Sequence, residues 1–516
     1  MSQQQQQVEV AEKYHTAKQW EIALFSLNNS ATNLYLFAFG FLTYYATGVA
    51  GLATLTVSNL LGFARLFDGL IDPTIGIVMD HVNSKWGRFR PIMLISNIAL
   101  ILSFLFLFSL HRFDGAMLMV LYVIALIFHK IAYSFQQTVT KAAQPALTND
   151  PKQRPMFSVY DTIFSSIGVF AIGQVIVSNF LSPRHGGEFN LAFYGEFITG
   201  IVIISAVLTV LAMIGIARKD KEEYFGLGDD TVETKSLKDY WSVIKGNTPL
   251  QTLALAGGAM KLLAQLYSDQ AVVVIVFGII LGNYGLSGQL SLYQIIPNLV
   301  IIAALTALAT RKGLKTSYTT SLIFLLGSLS LVATVLFTSN DTTQIFTTGG
   351  IPMLLFIAGY IGMRVFSSYP TSIVLTMAAD ITDYETARSG RFVSGLIGTI
   401  FSLTDSIASS LAPILIGFVV AAIGFTEAYP EAAEPLTDAL FTGGITLLVV
   451  IPAVIALIAL FLIIKYPLNK QAMEDVQATI AAKKLDKVAA GAAPSILTET
   501  PESTQPIARF EDEEEK

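Results

Sequence analysis

Three charged residues stand inside an apolar stretch near the start of the chain, in Phe63-Ala64-Arg65-Leu66-Phe67-Asp68-Gly69-Leu70-Ile71-Asp72-Pro73. Apolar residues run in from Leu55 and out to Met79, which predicts a membrane-spanning helix around them. Arg65, Asp68 and Asp72 fall at i, i+3 and i+7, on one face of such a helix. A charge at the bilayer centre costs about 2.5 kcal/mol or more, and survives where it faces a bundle interior or a water-filled path. Two carboxylates one turn apart cannot both stay ionised cheaply in low dielectric. They call for a proton, a small cation or the nearby guanidinium. The chemistry this suggests is an ion pathway; the bland alternative is a buried ion pair that only fixes helix packing.

The elements that must position these groups are helices in a membrane. Of the 516 residues, 53% are hydrophobic and 14% charged, and mean hydropathy is +0.60. Twelve segments are long and apolar enough to span: 21–47, 53–79, 91–110, 116–143, 157–181, 194–216, 249–281, 288–310, 317–338, 350–378, 393–424 and 438–465. Those longer than one span are expected to tilt, kink or extend past the bilayer. Long continuous apolar runs exclude a β-barrel. Cysteine is absent, which removes disulfides and thiol chemistry. No cleavable leader is expected, because the first twenty residues are polar. The net charge of −6 gives no footprint for nucleic acid. No Walker loop, metal-ligand spacing or nucleophile constellation occurs, so neither an enzyme nor a metal centre nor a cofactor is expected.

Lysine and arginine are unevenly divided between the loops. One set carries Lys85, Arg88, Arg90, Lys152, Arg154, the cluster from Arg218 to Lys245, Arg311, Lys312, Lys315, Arg388 and Arg391; the other carries little beyond Arg112 and Arg184. The first set is expected to be cytoplasmic, with both termini on the same side. The polar stretch near 217–248 divides the chain into halves at 21–216 and 249–466, flanked by a polar segment at 1–20 and a cytoplasmic, disordered acidic tail at 467–516. Two six-helix halves joined by a cytoplasmic linker are the layout of the major facilitator fold: an all-α membrane protein of twelve spans, with substrate held between the halves near mid-membrane.

Motifs sharpen this. Gly76-xxx-Asp80 followed by Lys85-Trp86-Gly87-Arg88-Phe89-Arg90-Pro91 resembles the cytoplasmic loop signature of the major facilitator superfamily. The other half carries Met377-Ala378-Ala379-Asp380-Ile381-Thr382-Asp383-Tyr384-Glu385-Thr386, then Ser389-Gly390-Arg391. With Arg65-xx-Asp68-xxx-Asp72-Pro73, these motifs resemble the glycoside–pentoside–hexuronide:cation symporter family, which includes the melibiose carrier. Glu385 stands one residue early and Ser389 replaces Thr relative to that pattern.

The resemblance implies a cation site of Asp68, Asp72 and the fourth-helix hydroxyl Ser134. It also implies a conformational latch from Asp80, Arg88, Asp380, Asp383 and Arg391. Sodium-using relatives place Asn before the second Asp; Ile71 stands there in this chain, so a neutral oxygen is missing and a proton is favoured over sodium. The family sugar pocket is present in outline only. The first helix offers Asn29, Thr32 and Asn33 in place of an acid, and the fourth helix has Gln137 and Lys141 at the acid and Trp positions. The family Arg on the fifth helix falls near Thr162, beside Asp161, and the eleventh-helix Lys near Ser406, beside Asp405.

Polar faces replace that pocket. Lys130, Ser134, Gln137 and Lys141 share a face of the fourth helix. The seventh carries Lys261, Gln265 and Asp269, and the tenth Arg364, Ser367, Ser368 and Thr371. From these faces and the first two helices, the candidate substrate-binding residues are Asn29, Thr32, Asn33, Arg65, Lys130, Gln137, Lys141, Lys261, Arg364 and Thr371. Lysines in the cavity would suit an anionic sugar, a hexuronide or sulfosugar; acids already paired with them would suit a neutral glycoside. The expectation is a monomeric, multi-pass carrier of the cell membrane that brings a sugar in with a proton or sodium. The alternatives are an uncoupled facilitator or exchanger and a membrane sugar sensor.

Overall fold

The computed structural model describes residues 15–80, 84–148, 150, 153–221, 245–389 and 394–489; within these, the side chains of 68–70, 72–74, 76–77, 80, 394–396 and 484–489 lie outside the description. The first half contains α1 (Gln19–Phe39), α2 (Thr54–Asp80), α3 (Phe89–Leu107), α4 (Gly115–Ala142), α5 (Arg154–Arg184) and α6 (Leu191–Ile216). The second contains α7 (Thr248–Ser268, continued as Gln270–Ile280), α8 (Gly285–Tyr293 and Ile295–Lys312), α9 (Leu314–Thr338), α10 (Gly350–Ser389), α11 (Ser394–Ala422) and α12 (Asp438–Lys465). A further helix, α13 (Lys470–Ala489), follows. Among the described residues nine helices are long and apolar enough to cross a membrane, and the bent pair in α7 makes ten. Helices α1 and α2, of 21 and 27 residues, stand outside that count at the positions of the first two expected spans.

Side chains close several helix ends that would otherwise leave amides unpaired. Asn190 accepts from the Phe193 amide at 3.1 Å, and Asn247 from the Leu250 amide at 2.9 Å. Asp220 does this on a larger scale at the start of α3. Its carboxylate accepts from the amides of Arg88, Phe89 and Arg90 at 2.9–3.2 Å and from Arg90 Nε at 3.3 Å. Gly87 makes room for it: its φ is +101°, and a β-carbon there would overlap the Asp220 carboxylate.

Helix α7 breaks at Asp269, where its two parts meet at 55°. Asp269 accepts from the Ala271 amide at 2.9 Å, and the Tyr267 carbonyl takes Arg364 Nη1 at 2.6 Å. The break therefore leaves its backbone groups satisfied by side chains, as a chain at membrane depth requires.

Helix α1 packs on α6, α3 on α4, α9 on α10, and α7 on α10, α11 and α12. The halves meet where α2 lies along α11 and where the end of α5 lies on the start of α8. Among the described residues, every recorded hydrogen bond between the halves lies at or beyond mid-bundle, away from the lysine- and arginine-rich loops. Ser58 bonds Tyr429 at 2.7 Å, and Gln174 bonds Ser287 at 3.0 Å and Gln270 at 3.0 Å. Gly288 permits the α5–α8 contact, since a β-carbon on it would come within 2.5 Å of Ser178 Oγ and 2.7 Å of Val175 Cα.

Candidate functional site

Between the halves, polar groups of α2, α7 and α11 meet, and further polar pairs lie within each half. On α2, Arg65 Nη1 donates to Gln265 Oε1 of α7 at 2.8 Å and to the Ser409 carbonyl of α11 at 3.3 Å. One guanidinium thus ties the first half to two helices of the second. The backbone carrying Asp68 and Asp72 continues α2 as helix, and their side chains, like that of Asp80, lie outside the described residues. Helix α4, which carries the buried Ser134, packs against α2.

Lys261 of α7 forms an ion pair with Asp405 of α11 at 2.9 Å, with both side chains partly exposed. The seventh-helix polar face and the acid beside the eleventh-helix family position therefore meet. Lys130 is buried, its ammonium over the rings of Phe39 at 5.1 Å and Tyr133 at 5.7 Å. Lys141 is exposed at the end of α4. Arg364 holds the Tyr267 carbonyl at the α7 break, and the Thr371 hydroxyl donates to the Ser368 carbonyl at 2.7 Å.

On α1, Asn29 and Asn33 are half-buried one turn apart, and Thr32 is buried with its hydroxyl on the Asn28 carbonyl at 2.9 Å. Asn28 fixes α1 to α4 through the Gln136 carbonyl at 3.2 Å and Thr140 Oγ1 at 2.9 Å. Asn29, the next residue, donates to Asp161 of α5. Asn29 Oδ1 and Gln137 Oε1 are buried acceptors with no hydrogen-bond partner.

Of the latch residues, Arg88 gives its backbone amide to Asp220, and Asp383 accepts from Gln477 of α13 at 2.7 Å. Asp380 is half-buried on α10, and Arg391 lies outside the described residues. Glu385 is buried and accepts from Asn247 at 2.9 Å and Arg388 at 3.0 Å. His129 is buried against Phe39 and Ser103, packing material in this fold. Tyr44 and Tyr45 likewise pack on Phe189 and Phe108.

Two residues that matter here escape the motifs. Asp220 looks like one more charge of a polar linker, because the α3 amides that it caps are 130 or more positions away in sequence. Asp161 is visible only as the neighbour of a position where the family has Arg.

Comparison with known proteins fits this architecture. The family model described as MFS/sugar transport protein matches residues 25–470, and the chain belongs to that family. A lactose permease of Leuconostoc lactis is 23% identical over 80% of this chain; the match spans 64% of that protein's own length, so this chain covers under two thirds of it. An isoprimeverose transporter of Lactiplantibacillus pentosus is 22% identical, over 80% of this chain and 82% of that protein. A glucuronide carrier protein homologue of Escherichia coli strain K12 is 25% identical, over 89% and 95%. In fold the chain resembles the nucleoside transporter NupG, with TM-score 0.57, 14% identity and coverage of 87% of this chain and 100% of that one. The chain is a multi-pass membrane protein of the major facilitator fold, in a family of sugar transport proteins.

Proposed function

We propose that this protein is a cation-coupled carrier that brings a sugar or glycoside into the cell by alternating access, with the proton as coupling ion. The halves are taken as 21–216 and 249–466, with twelve spans, cytoplasmic termini and a monomeric working unit. The observation that carries the reading is the placement of the recorded inter-half hydrogen bonds at and beyond mid-bundle, with polar groups gathered between the halves. A carrier closed on its outer side and open toward the cytoplasm would have that arrangement. Asp68 and Asp72 supply the ionisable pair on α2, and Ile71 offers no oxygen for sodium. Coupling follows when cation binding and sugar binding favour the same state, so that the empty or doubly loaded carrier reorients.

The relatives' names point to neutral and acidic sugars alike. The Lys261–Asp405 pair favours a neutral glycoside here, because it neutralises one of the lysines that would hold an anion. The test is uptake into proteoliposomes of lactose, isoprimeverose, raffinose and a phenyl glucuronide, under separate proton and sodium gradients. Uphill accumulation of a neutral glycoside with a proton gradient supports the proposal. Downhill equilibration alone would make it a facilitator, and binding without movement a sensor.

A further inference from the structure

We propose that Asp161 and Asn29 form a hydroxyl-binding seat for a neutral sugar ring, supplying on α5 the carboxylate that the first and fourth helices lack; this rests on the sugar-carrier reading. Asp161 lies two turns into α5, and the helix widens to π-helical winding over Thr162–Ile172 directly after it. Ser158, Thr162 and Ser166 form an exposed polar stripe beside it.

The recorded partners of Asp161 are neutral and all sit on Oδ1: Asn29 Nδ2, and Ser165 Oγ at 2.9 Å, itself 3.1 Å from Ser30 Oγ. These contacts hold the carboxylate in place without neutralising it. Two buried acceptors lack donors: Asn29 Oδ1, on the amide that bonds Asp161, and Gln137 Oε1 on α4. The Asn28–Gln136 contact sets their two helices side by side. A buried acceptor without a donor is costly, and a ligand that brings hydroxyl hydrogens removes the cost. A polyhydroxylated ring carries adjacent O–H donors. An anionic sugar would set its own carboxylate against Asp161.

The test measures binding of lactose, isoprimeverose and raffinose, their monodeoxy analogues and phenyl glucuronide to the detergent-purified full-length protein, wild type and Asp161→Asn, alongside transport. In wild type, removing one hydroxyl should weaken binding of a neutral glycoside by about tenfold or more. Asp161→Asn should weaken the parent glycoside by about ten- to a hundredfold and erase its advantage over that deoxy analogue. A merely structural role would lower affinity for parent and analogue alike and keep their ratio. If Asp161→Asn does not fold, Asn29→Ala carries the same readout. An unchanged ratio in a folded variant overturns the proposal. Transport of the glucuronide but of no neutral glycoside overturns it while leaving the carrier reading intact. Transport of no sugar by wild type overturns both.

Discussion

Arg65 on α2 donates to Gln265 on α7 at 2.8 Å, 200 positions away in sequence. The same guanidinium reaches the Ser409 carbonyl of α11. A residue two turns from Asp72 on the same helix thereby touches the opposite half.

Replacing Gln265 by Leu removes a charge-assisted hydrogen bond of about 1.5–3 kcal/mol from the joined state. The expected outcome is a carrier that exchanges internal for external sugar near the normal rate but accumulates it less. Counterflow and gradient-driven uptake, measured side by side, check this. Equal loss in both would mean that the bond serves folding alone.

Gly288→Ala should hold the outer side open. A β-carbon there meets Ser178 Oγ at 2.5 Å and Val175 Cα at 2.7 Å, so α5 and α8 must separate. The chain has no cysteine, so Ser58→Cys, buried at the distant α2–α11 seam, can report the change in an otherwise natural background. Its labelling by a membrane-impermeant maleimide should rise several-fold when Gly288→Ala is added. An unchanged rate would show that the two seams do not move together.

Asp220→Ala should cost about 2 kcal/mol, because three α3 amides and Arg90 lose their common acceptor. Asp220→Asn keeps one acceptor oxygen and should cost less. Thermal unfolding in detergent distinguishes the two; identical curves for both variants and wild type would contradict the capping role.

Glu431, in the loop before α12, gives a pH dependence. Burial, with Glu188 and Glu434 nearby, raises its carboxyl above the ordinary glutamate range. The folded state therefore binds its proton more tightly than the unfolded chain does. Its favourable contribution is complete below the unfolded pKa and is lost as pH rises through the folded one. Glu431→Gln should then stabilise the protein at pH 7 relative to wild type, with the difference vanishing near pH 4. A difference that persists at low pH would rule out titration as the cause.

Much of this architecture is legible in the sequence, because hydropathy fixes long helices and polar residues at three- and four-residue spacing betray inward faces. Lys261, Gln265 and Asp269 share a face in the sequence and lie along α7 in the structure. What they touch is another matter. The Lys261–Asp405 pair, the hold of Arg364 on Tyr267 and the Asp220 cap join positions 97 to 144 residues apart. No local pattern encodes such pairings; they follow from how the helices pack. The break at Asp269 is similar: one acidic residue in an apolar run reads as part of a polar inward face, yet it caps the second part of its own helix.

The central claim is that the α2 carboxylates couple a proton to sugar movement. It is tested most directly by adding a transported glycoside to lightly buffered, de-energised cells or proteoliposomes and recording external pH. The account predicts immediate alkalinisation with wild type. With Asp72→Asn, or Asp68→Asn, it predicts no pH change while sugar exchange persists. Sugar entry in wild type without any proton movement, or full alkalinisation in both variants, would contradict it.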